Sequence, residues 1–205
     1  MSDFLLYGNR ESGHSYKVRL MLTVARVPHR YEEIDLMLPR AQRPEPFRSQ
    51  SAFGEVPVLM HGGQALVQSD AILHYLAGHL QAFGGESATR LDRAREWLFW
   101  EANRIGFSFP HLRFARKFAP EQYPADVVAW LRQRFDQDIA RLEAELSDGR
   151  RFILDDKASI ADFALCGYLF WSEQAALALP PHVASWLGNI STLPGWQAPY
   201  DLMRP

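Results

Sequence analysis

Two short polar segments of the sequence combine residue types and positions that suit catalysis or anion binding. Residues 12–15, Ser-Gly-His-Ser, follow a predicted strand and open a predicted helix, where unpaired backbone N–H groups stabilise a hydroxyl or a bound anion. Residues 68–70, Gln-Ser-Asp, begin another predicted helix and offer the same environment to a carboxylate. Serine and aspartate also cap helices routinely, so each segment by itself is read first as a structural cap.

A proline and a capping pattern mark two further positions. Pro57 interrupts the apolar run 56–60, where its missing backbone donor requires an edge strand or a special backbone such as a cis peptide bond. The Gly-Gly pair at 62–63 joins this run to the apolar residues 65–67, which predicts a β-hairpin. Ser159 and Asp162 resemble a capping box before the most apolar helix of the sequence, and we assign them a structural role.

Composition excludes several classes of protein. The 205 residues carry 22 basic and 24 acidic side chains. This balance gives no strong positive potential for binding nucleic acid or an anionic membrane. The single cysteine excludes an internal disulfide, and the spacing of the seven histidines predicts no metal site. Without a signal-peptide pattern or a membrane-spanning apolar run, the sequence predicts a soluble, cytoplasmic protein. We predict that the basic residues Arg113, Arg116 and Lys117 form a solvated helix face.

The elements that must position these segments change character along the chain. Up to residue 82 the patterns run in the order strand, helix, strand, helix, hairpin, helix, which predicts a small mixed sheet covered by helices. Every later pattern is helical, with runs at 88–118 (interrupted at Pro110), 124–146, 159–177 and 182–189. The glycine-containing stretch 83–87 is the natural linker, so the predicted domains are 1–82 and 88–205.

Taken together, the order and spacing of these features resemble those of the cytosolic glutathione transferases. The shared pattern is a serine at the first helix, Val-Pro-x-Leu before a Gly-Gly hairpin, a Gln-Ser-x-Ala-Ile-x-x-Tyr-Leu helix and a downstream Ser-Ile-Ala-Asp capping box. The resemblance extends over the whole chain and is strongest to the serine-using zeta and theta-like classes. It implies an α/β, thioredoxin-like N-terminal domain, an all-helical C-terminal domain, a homodimer, and glutathione as co-substrate.

The resemblance also implies roles for particular residues. Ser12, or its neighbour Ser15, would donate a hydrogen bond to the sulfur of glutathione and, with the helix N-terminus, favour thiolate over thiol. The implied glutathione-binding residues are Gln42 for the glycine end, Val56 before a cis Pro57 for the cysteinyl backbone, and Gln68 with Ser69 for the γ-glutamyl carboxylate.

Two positions depart from the family pattern. The zeta-class isomerase motif has Ser-Cys where this chain has Gly13-His14, which argues against a maleylacetoacetate isomerase. The usual Asn-Pro before Gly-x-Val-Pro is also absent from residues 50–53. His14 would either assist proton transfer or lie exposed on the surface, and we predict the exposed position.

The second substrate is expected between the domains, opposite Ser12. Phe107, His111 and Phe114 recur at helical spacing and are candidates for lining an apolar pocket there, although the same spacing fits core residues. The predicted activity is glutathione conjugation to a small hydrophobic electrophile. The alternatives are a glutathione-dependent isomerase, dehalogenase or disulfide reductase, and a catalytically silent binding or regulatory protein of the same fold. Cys166 lies in the most apolar helix and is predicted to be buried rather than catalytic.

Overall fold

The computed structural model describes residues 3–205, which form a small mixed sheet with its helices, followed by a helical region. The sheet has the order β2-β1-β3-β4, with β1 parallel to β2 and β3 antiparallel to both β1 and β4. Its strands are β1 (Phe4–Gly8), β2 (His29–Glu33), β3 (Val58–His61) and β4 (Gln64–Val67). The helices are α1 (Gly13–Val24), α2 (Glu45–Gln50), α3 (Ser69–Leu80), α4 (Ala88–Ala102), α5 (Ile105–Lys117), α6 (Ala125–Glu145), α7 (Ile160–Leu169), α8 (Pro181–Ser191) and α9 (Pro199–Leu202). This order confirms the predicted fold class, a thioredoxin-like part followed by an all-helical part.

Strand β1 is the centre of the first part because it is buried on both faces. Leu6 points into the larger apolar core, whereas Leu5 joins a second core that includes Phe47 of α2. This alternation is the two-residue period of a strand. The predicted hairpin is confirmed, since β3 and β4 pair antiparallel around the Gly-Gly pair at 62–63, whose φ values are 55° and 80°.

The long helical run after the linker breaks at a different place from the predicted one. The chain leaves the helix at residues 103–104, and Pro110 lies inside α5, so the predicted interruption at that proline is wrong. At this break the backbone passes close to Glu101. A Cβ atom on Gly106 would lie only 2.4 Å from the Glu101 carboxylate. The turn therefore brings α4 and α5 close together around this side chain.

Helix α7 is the buried centre of the helical part and packs against α1 and α4. The predicted capping box is confirmed, with the Asp162 carboxylate accepting the Ser159 backbone N–H at 2.8 Å. The helix ends at Leu169, earlier than predicted, and a 3-10 turn at Ser172–Ala175 follows it.

The two parts of the chain meet where α1 crosses α7. Gly13 and Gly167 face each other there, and a Cβ atom on Gly167 would lie 2.9 Å from the Gly13 carbonyl oxygen. The missing side chains let the two helices approach closely. The domain boundary itself, 1–82 against 88–205, stays a prediction. Within residues 3–205 no helix has both the length and the apolar character needed to cross a bilayer.

Candidate functional site

The loop between β1 and α1 places Ser12 at the N-terminus of α1. The Ser12 backbone is extended (φ −98°, ψ 111°), and its Oγ accepts the Ser15 backbone N–H at 3.1 Å as a helix cap. Ser15 is fully buried, and its own Oγ accepts the Asn9 N–H at 3.3 Å. Ser12 lines a cavity whereas Ser15 is occupied in holding the loop, so Ser12 is the serine that a ligand can reach.

The predicted cis peptide bond between Val56 and Pro57 is confirmed. It directly precedes β3, and within residues 3–205 neither the N–H nor the C=O of Val56 forms a backbone hydrogen bond. Ser51 fixes the preceding loop, since its hydroxyl donates to the Glu55 carbonyl at 2.9 Å and accepts the Glu55 N–H at 3.0 Å. Val56 therefore presents a free backbone donor and acceptor, as an edge strand does.

Helix α3 begins at Ser69, directly after Gln68, whose backbone has φ 67°. The exposed Gln68 side chain donates from Nε2 to Glu55 Oε2 at 3.3 Å, and the buried Ser69 hydroxyl lies 3.5 Å from His14 Nδ1. The first backbone N–H groups of a helix have no partner within the helix. This terminus therefore offers several donors together, which suits a carboxylate.

Two adjoining cavities bring these segments together. The first has a volume of about 550 Å³ and is lined by the cis-proline loop, the start of α3 and one side of α4. The second, about 630 Å³, lies between the β1–α1 loop and α5 and includes Ser12. His14, Glu55 and Val56 line both cavities. Of the predicted ligand-binding residues, the first cavity takes in Val56, Pro57, Gln68 and Ser69.

His14 lies between the two cavities and is not the exposed surface residue that we predicted. Its half-buried ring contacts the Tyr168 ring edge-on, with 5.0 Å between ring centres. Burial and, to a smaller extent, the Lys17 ammonium lower the pKa of His14 to about 3, although the Asp70 carboxylate opposes them. His14 is therefore uncharged at neutral pH and acts there only as a neutral hydrogen-bonding group.

The segment after β2 brings arginines, rather than the predicted glutamine, to the second cavity. Gln42 is exposed at the end of the 3-10 turn Arg40–Gln42 and lines neither cavity. Arg40 and Arg43 line the second cavity instead. Arg43 holds the loop by donating to three backbone carbonyls, those of Leu36, Leu38 and Gly54. The spacing of three between the two arginines in a turn was the signal that could have found them.

Helix α5 forms the opposite wall of the second cavity through His111 and Phe114. The His111 ring is held by a 2.7 Å contact between its Nδ1 and the Tyr123 hydroxyl. Phe107 lines neither cavity, because it lies a turn earlier and its ring sits 6.2 Å from that of Trp130 on α6.

Two family models match this chain. The model of the glutathione S-transferase N-terminal domain matches residues 6–82, and that of the C-terminal domain matches residues 107–198. Together they cover well over half of the sequence. The chain belongs to the glutathione S-transferase family.

Individual members of the family are distant from this chain. A glutathione S-transferase from Dirofilaria immitis is 32% identical over 58% of this chain, a match that spans 54% of that relative. The disulfide-bond oxidoreductase YfcG of Escherichia coli (strain K12) is 26% identical over 93% of this chain and 90% of its own length. The crystal structure of a possible glutathione S-transferase from Rhodopseudomonas palustris superposes with a TM-score of 0.86, at 27% identity and full coverage of both chains.

In this member of the glutathione S-transferase family, a largely buried ionic cluster lies at the wall of the first cavity, which two of its members, Asp70 and Glu101, line. Lys17 Nζ is 2.6 Å from Asp70 Oδ1 and 3.1 Å from Glu101 Oε2. Burial raises the pKa of the Glu101 carboxyl to about 8, with Lys17 opposing this and Asp70 adding to it. The cluster ties α1 to α3 and α4. Sequence reasoning missed it because its members lie far apart along the chain.

Arg113 is buried, so the prediction that it belongs to a solvated face is wrong, although the other two members of that basic cluster are exposed. Its guanidinium donates to the Glu11 carbonyl at 2.7 Å, to the Glu11 carboxylate, and to Gln174 Oε1 at 2.8 Å. An arginine can be buried here because these acceptors satisfy its planar donors. Since Glu11 directly precedes Ser12, Arg113 anchors the site loop to the helical part.

Two residues of α7 complete the surroundings of the site. Cys166 is buried, as predicted, with its Sγ donating to the Phe163 carbonyl at 3.5 Å, and burial raises the pKa of its thiol. Tyr168 lines the second cavity beside Ser12. Nothing in the sequence singled out Tyr168, because a helix that is apolar all round does not show which side chain reaches a neighbouring loop.

Proposed function

We propose that this chain is a glutathione transferase that activates the glutathione thiol for attack on a small hydrophobic electrophile. The observation that carries the proposal is the convergence of Ser12, the free backbone of Val56 and the N-terminus of α3 on two adjoining cavities. Each of these features suits one group of the tripeptide: the thiol, the cysteinyl peptide unit and the γ-glutamyl carboxylate. Membership of the family supports the same ligand.

In this proposal glutathione spans both cavities. Gln68, Ser69 and the unpaired N–H groups of α3 hold the γ-glutamyl carboxylate. The backbone N–H and C=O of Val56 pair with the cysteinyl residue like an added strand. Arg40 suits the glycine carboxylate better than the exposed Gln42 does, because it lines the second cavity and its guanidinium forms no ion pair within residues 3–205.

Ser12 then acts on the sulfur. Its hydroxyl donates to the thiolate and the positive end of α1 lies beside it, so both favour the ionised form. A decrease of about two units from a free-thiol pKa of about 8.5 corresponds to roughly 2.7 kcal/mol and makes the thiolate the main species at neutral pH. A sulfur lone pair forms the new C–S bond while the leaving group departs with its bonding electrons.

The second cavity suits a small apolar electrophile. Its wall on the helical side is mostly aromatic and is formed by Pro110, His111, Arg113, Phe114, Phe118, Tyr123 and Tyr168. Its volume of about 630 Å³ falls within the range of small-molecule sites. Aromatic walls favour stacked, flat ligands, so activated aryl halides are the first electrophiles to test.

Disulfide reduction is the second candidate activity, because the Escherichia coli disulfide-bond oxidoreductase YfcG matches nearly the whole chain. Here the glutathione thiolate would attack a disulfide sulfur and release one thiolate, and a second glutathione would resolve the mixed disulfide to glutathione disulfide. The reaction needs no protein thiol, which agrees with the buried Cys166. The product separates the two activities, a thioether in one and glutathione disulfide in the other.

We also propose a homodimer whose interface borders the first cavity. Phe53 and Phe99 line this cavity with 53% and 74% of their surfaces exposed, and a second copy of the chain would cover them. Sedimentation equilibrium should show a dimer that Phe99→Glu converts to monomer. The matched control is Phe118→Glu, since Phe118 is also exposed but lines the second cavity. A monomeric wild-type protein would contradict the dimer.

The test of the transferase mechanism compares Ser12→Ala with Ser87→Ala. Both variants lose a serine that caps a helix, but Ser87, whose Oγ accepts the Arg90 N–H at 3.3 Å, lies outside both cavities. We expect glutathione at about 100 times its Kd to stabilise all three proteins by about 2.7 kcal/mol in thermal-shift titrations. Conjugation at neutral pH should fall in Ser12→Ala alone, by up to about twentyfold if the whole decrease in the thiol pKa is lost, because the thiolate fraction then falls.

Each other outcome has a distinct meaning. Unchanged conjugation in Ser12→Ala would overturn the Ser12 mechanism. Glutathione binding by the wild-type protein without turnover of any electrophile or disulfide would identify the catalytically silent binding protein. A wild-type protein that does not bind glutathione would overturn the proposed function.

A further inference from the structure

Glu11 joins the β1–α1 loop to helix α5, and these two elements form opposite sides of the second cavity. Its carboxylate accepts hydrogen bonds from the Arg113 guanidinium and from Lys117 Nζ, the latter at 2.8 Å, and its carbonyl accepts from Arg113 Nη1 at 2.7 Å. The Tyr200 hydroxyl of α9 donates to the same carboxylate at 2.8 Å. In the described part of the chain, residues 3–205, no other ion pair links this loop to α5.

Three donors on one carboxylate make this contact firm. Burial raises the pKa of Glu11, but hydrogen bonds from Lys117, Tyr200 and Arg113 together outweigh it and hold the pKa below its usual value, so Glu11 is ionised at neutral pH. Arg113 has only 3% of its side chain exposed, whereas Glu11 and Lys117 each have 31%. Charge-assisted hydrogen bonds that are partly withdrawn from water are stronger than exposed ones, because solvent screens them less. The contact therefore holds the loop and the helix at a fixed separation.

The two cations that Glu11 holds also contact the aromatic wall of the cavity. Arg113 and Lys117 are four residues apart, so they lie on one stripe of α5. The guanidinium carbon of Arg113 lies 5.4 Å, and Lys117 Nζ 4.9 Å, from the centre of the Phe118 ring. The Phe118 ring packs on that of Phe114 with 5.6 Å between centres, and both rings line the second cavity. The position of the aromatic wall therefore depends on the contact with Glu11.

We propose that Glu11 is a positioning residue that sets the width of the second cavity and thereby selects the electrophile by size. It fixes the distance between the loop that carries Ser12 and the aromatic wall, so a small flat electrophile fits there and a wider one does not. A pocket with fixed, close-packed walls can reject one extra group by about tenfold or more, whereas a wall that moves cannot. The inference rests on the proposed function, which places the thiolate at Ser12 and the electrophile in this cavity.

Glu11→Gln tests this inference. The amide keeps the length of the side chain and one acceptor oxygen, so Arg113 keeps a partner and the variant should fold, but the ion pairs that hold α5 are lost. The probes are dinitrochlorobenzene and its wider naphthalene analogue, dinitrochloronaphthalene. Both react with the same glutathione thiolate, so the thiolate fraction cancels in the ratio of their kcat/KM values.

This ratio, the smaller electrophile over the wider one, should fall about tenfold in Glu11→Gln. The fall arises because the wider electrophile gains access when the wall can move. A merely structural role, in which the variant is only less stable, would lower both activities together and leave the ratio unchanged. Melting temperatures of all variants report whether each one folds.

Glu33→Gln is the matched control. Its carboxylate oxygens accept from Arg10 Nε at 2.8 Å and from Arg10 Nη2 at 2.9 Å. Arg10 belongs to the same loop, but this ion pair ties the loop to β2 and lines neither cavity, so the ratio should stay unchanged. Lys117→Met is a second variant, since it removes one cation and leaves Arg113 paired with Glu11. There the ratio should fall about threefold, because a half-exposed pair contributes less than a buried one.

The results separate this inference from the proposed function. A ratio that changes by less than about twofold in Glu11→Gln, or by an equal factor in Glu33→Gln, overturns the inference and leaves the proposed function intact. A wild-type protein whose ratio equals that of the uncatalysed reactions does not select by size, and this also overturns the inference alone. A wild-type protein that conjugates neither electrophile overturns both.

Discussion

Replacing Lys17 by methionine tests how far the buried ionic cluster holds the site together. Lys17 has 1% of its side chain exposed and faces Asp70 at 2.6 Å and Glu101 at 3.1 Å. Methionine keeps much of the aliphatic stem but removes the single cation of this cluster. Two carboxylates on different helices, α3 and α4, are then left facing each other without a positive partner.

The expected loss in the free energy of unfolding follows from the two carboxylates that are left without a cation. Removing one partner of a buried ion pair costs about 3–5 kcal/mol. Relief is available here, because burial already raises the pKa of Glu101 to about 8 and because Asp70 keeps 18% of its side chain exposed. We therefore expect Lys17→Met to destabilise the fold at neutral pH by about 3 kcal/mol, the lower end of that range. Glu101→Gln should cost less than about 1 kcal/mol, since Asp70 still neutralises Lys17 and the amide can still accept from it.

The pH dependence has a definite sign. The pKa of Glu101 in the folded protein lies above its ordinary value of 4.5, so its contribution to stability is fully present below about 4.5 and is lost as the pH rises through about 8. The wild-type protein should therefore lose stability relative to Glu101→Gln across that interval. Lys17→Met should be least destabilised at low pH, where Glu101 is protonated.

Urea unfolding at several pH values measures these differences. Lys157→Met is the matched control, because Lys157 is exposed and its replacement should change the free energy of unfolding by less than about 0.5 kcal/mol. Equal destabilisation by Lys17→Met and Glu101→Gln, or a loss below about 1 kcal/mol for Lys17→Met, would refute the argument that the cation holds the cluster together.

Three other changes test residues near the site and in the helix that packs beside it. Gly13→Ala should destabilise the fold by about 1–3 kcal/mol in urea titrations, because the added methyl would lie 2.5 Å from the Tyr168 ring. An unchanged free energy of unfolding would mean that α1 and α7 can separate freely. His14→Gln should remove a loss of stability on acidification, since the lowered pKa of His14 stabilises the wild type above pH 6.5 and this contribution is lost toward pH 3. An unchanged acid profile would contradict a neutral, half-buried His14. Cys166→Ala should leave glutathione-dependent turnover unchanged, and rapid labelling of native wild-type protein by a thiol reagent would contradict the burial of Cys166.

Features that depend on a few neighbouring residues could be predicted from the sequence. The cap at Ser12, the hairpin at 62–63 and the capping box at 159–162 each depend on residues within three positions of one another. The fold class followed from the order of such elements. The cis bond before Pro57 followed from a proline in a strand pattern together with the family resemblance.

Side-chain directions within longer elements could not be read in the same way. Phe107 and Phe114 share one helical stripe, yet Phe114 faces the second cavity while Phe107 contacts Trp130 on α6. Spacing defines which residues share a stripe, but the position of neighbouring elements determines what that stripe faces. The same reason explains why Arg40 and not Gln42 lines the cavity, since the orientation of a short turn depends on the strand and loop that it packs against.

The sequence by itself determined the order of the elements and the chemistry available at their ends, because caps, turns and breaks are local. Only the tertiary structure decided which groups support Ser12. Lys17, Arg113 and Tyr168 acquire their partners from segments 53 or more residues away, or by the crossing of α1 and α7. Whether such a side chain is buried, charged or paired depends on which surfaces the two parts of the chain press together, and no local pattern contains that information.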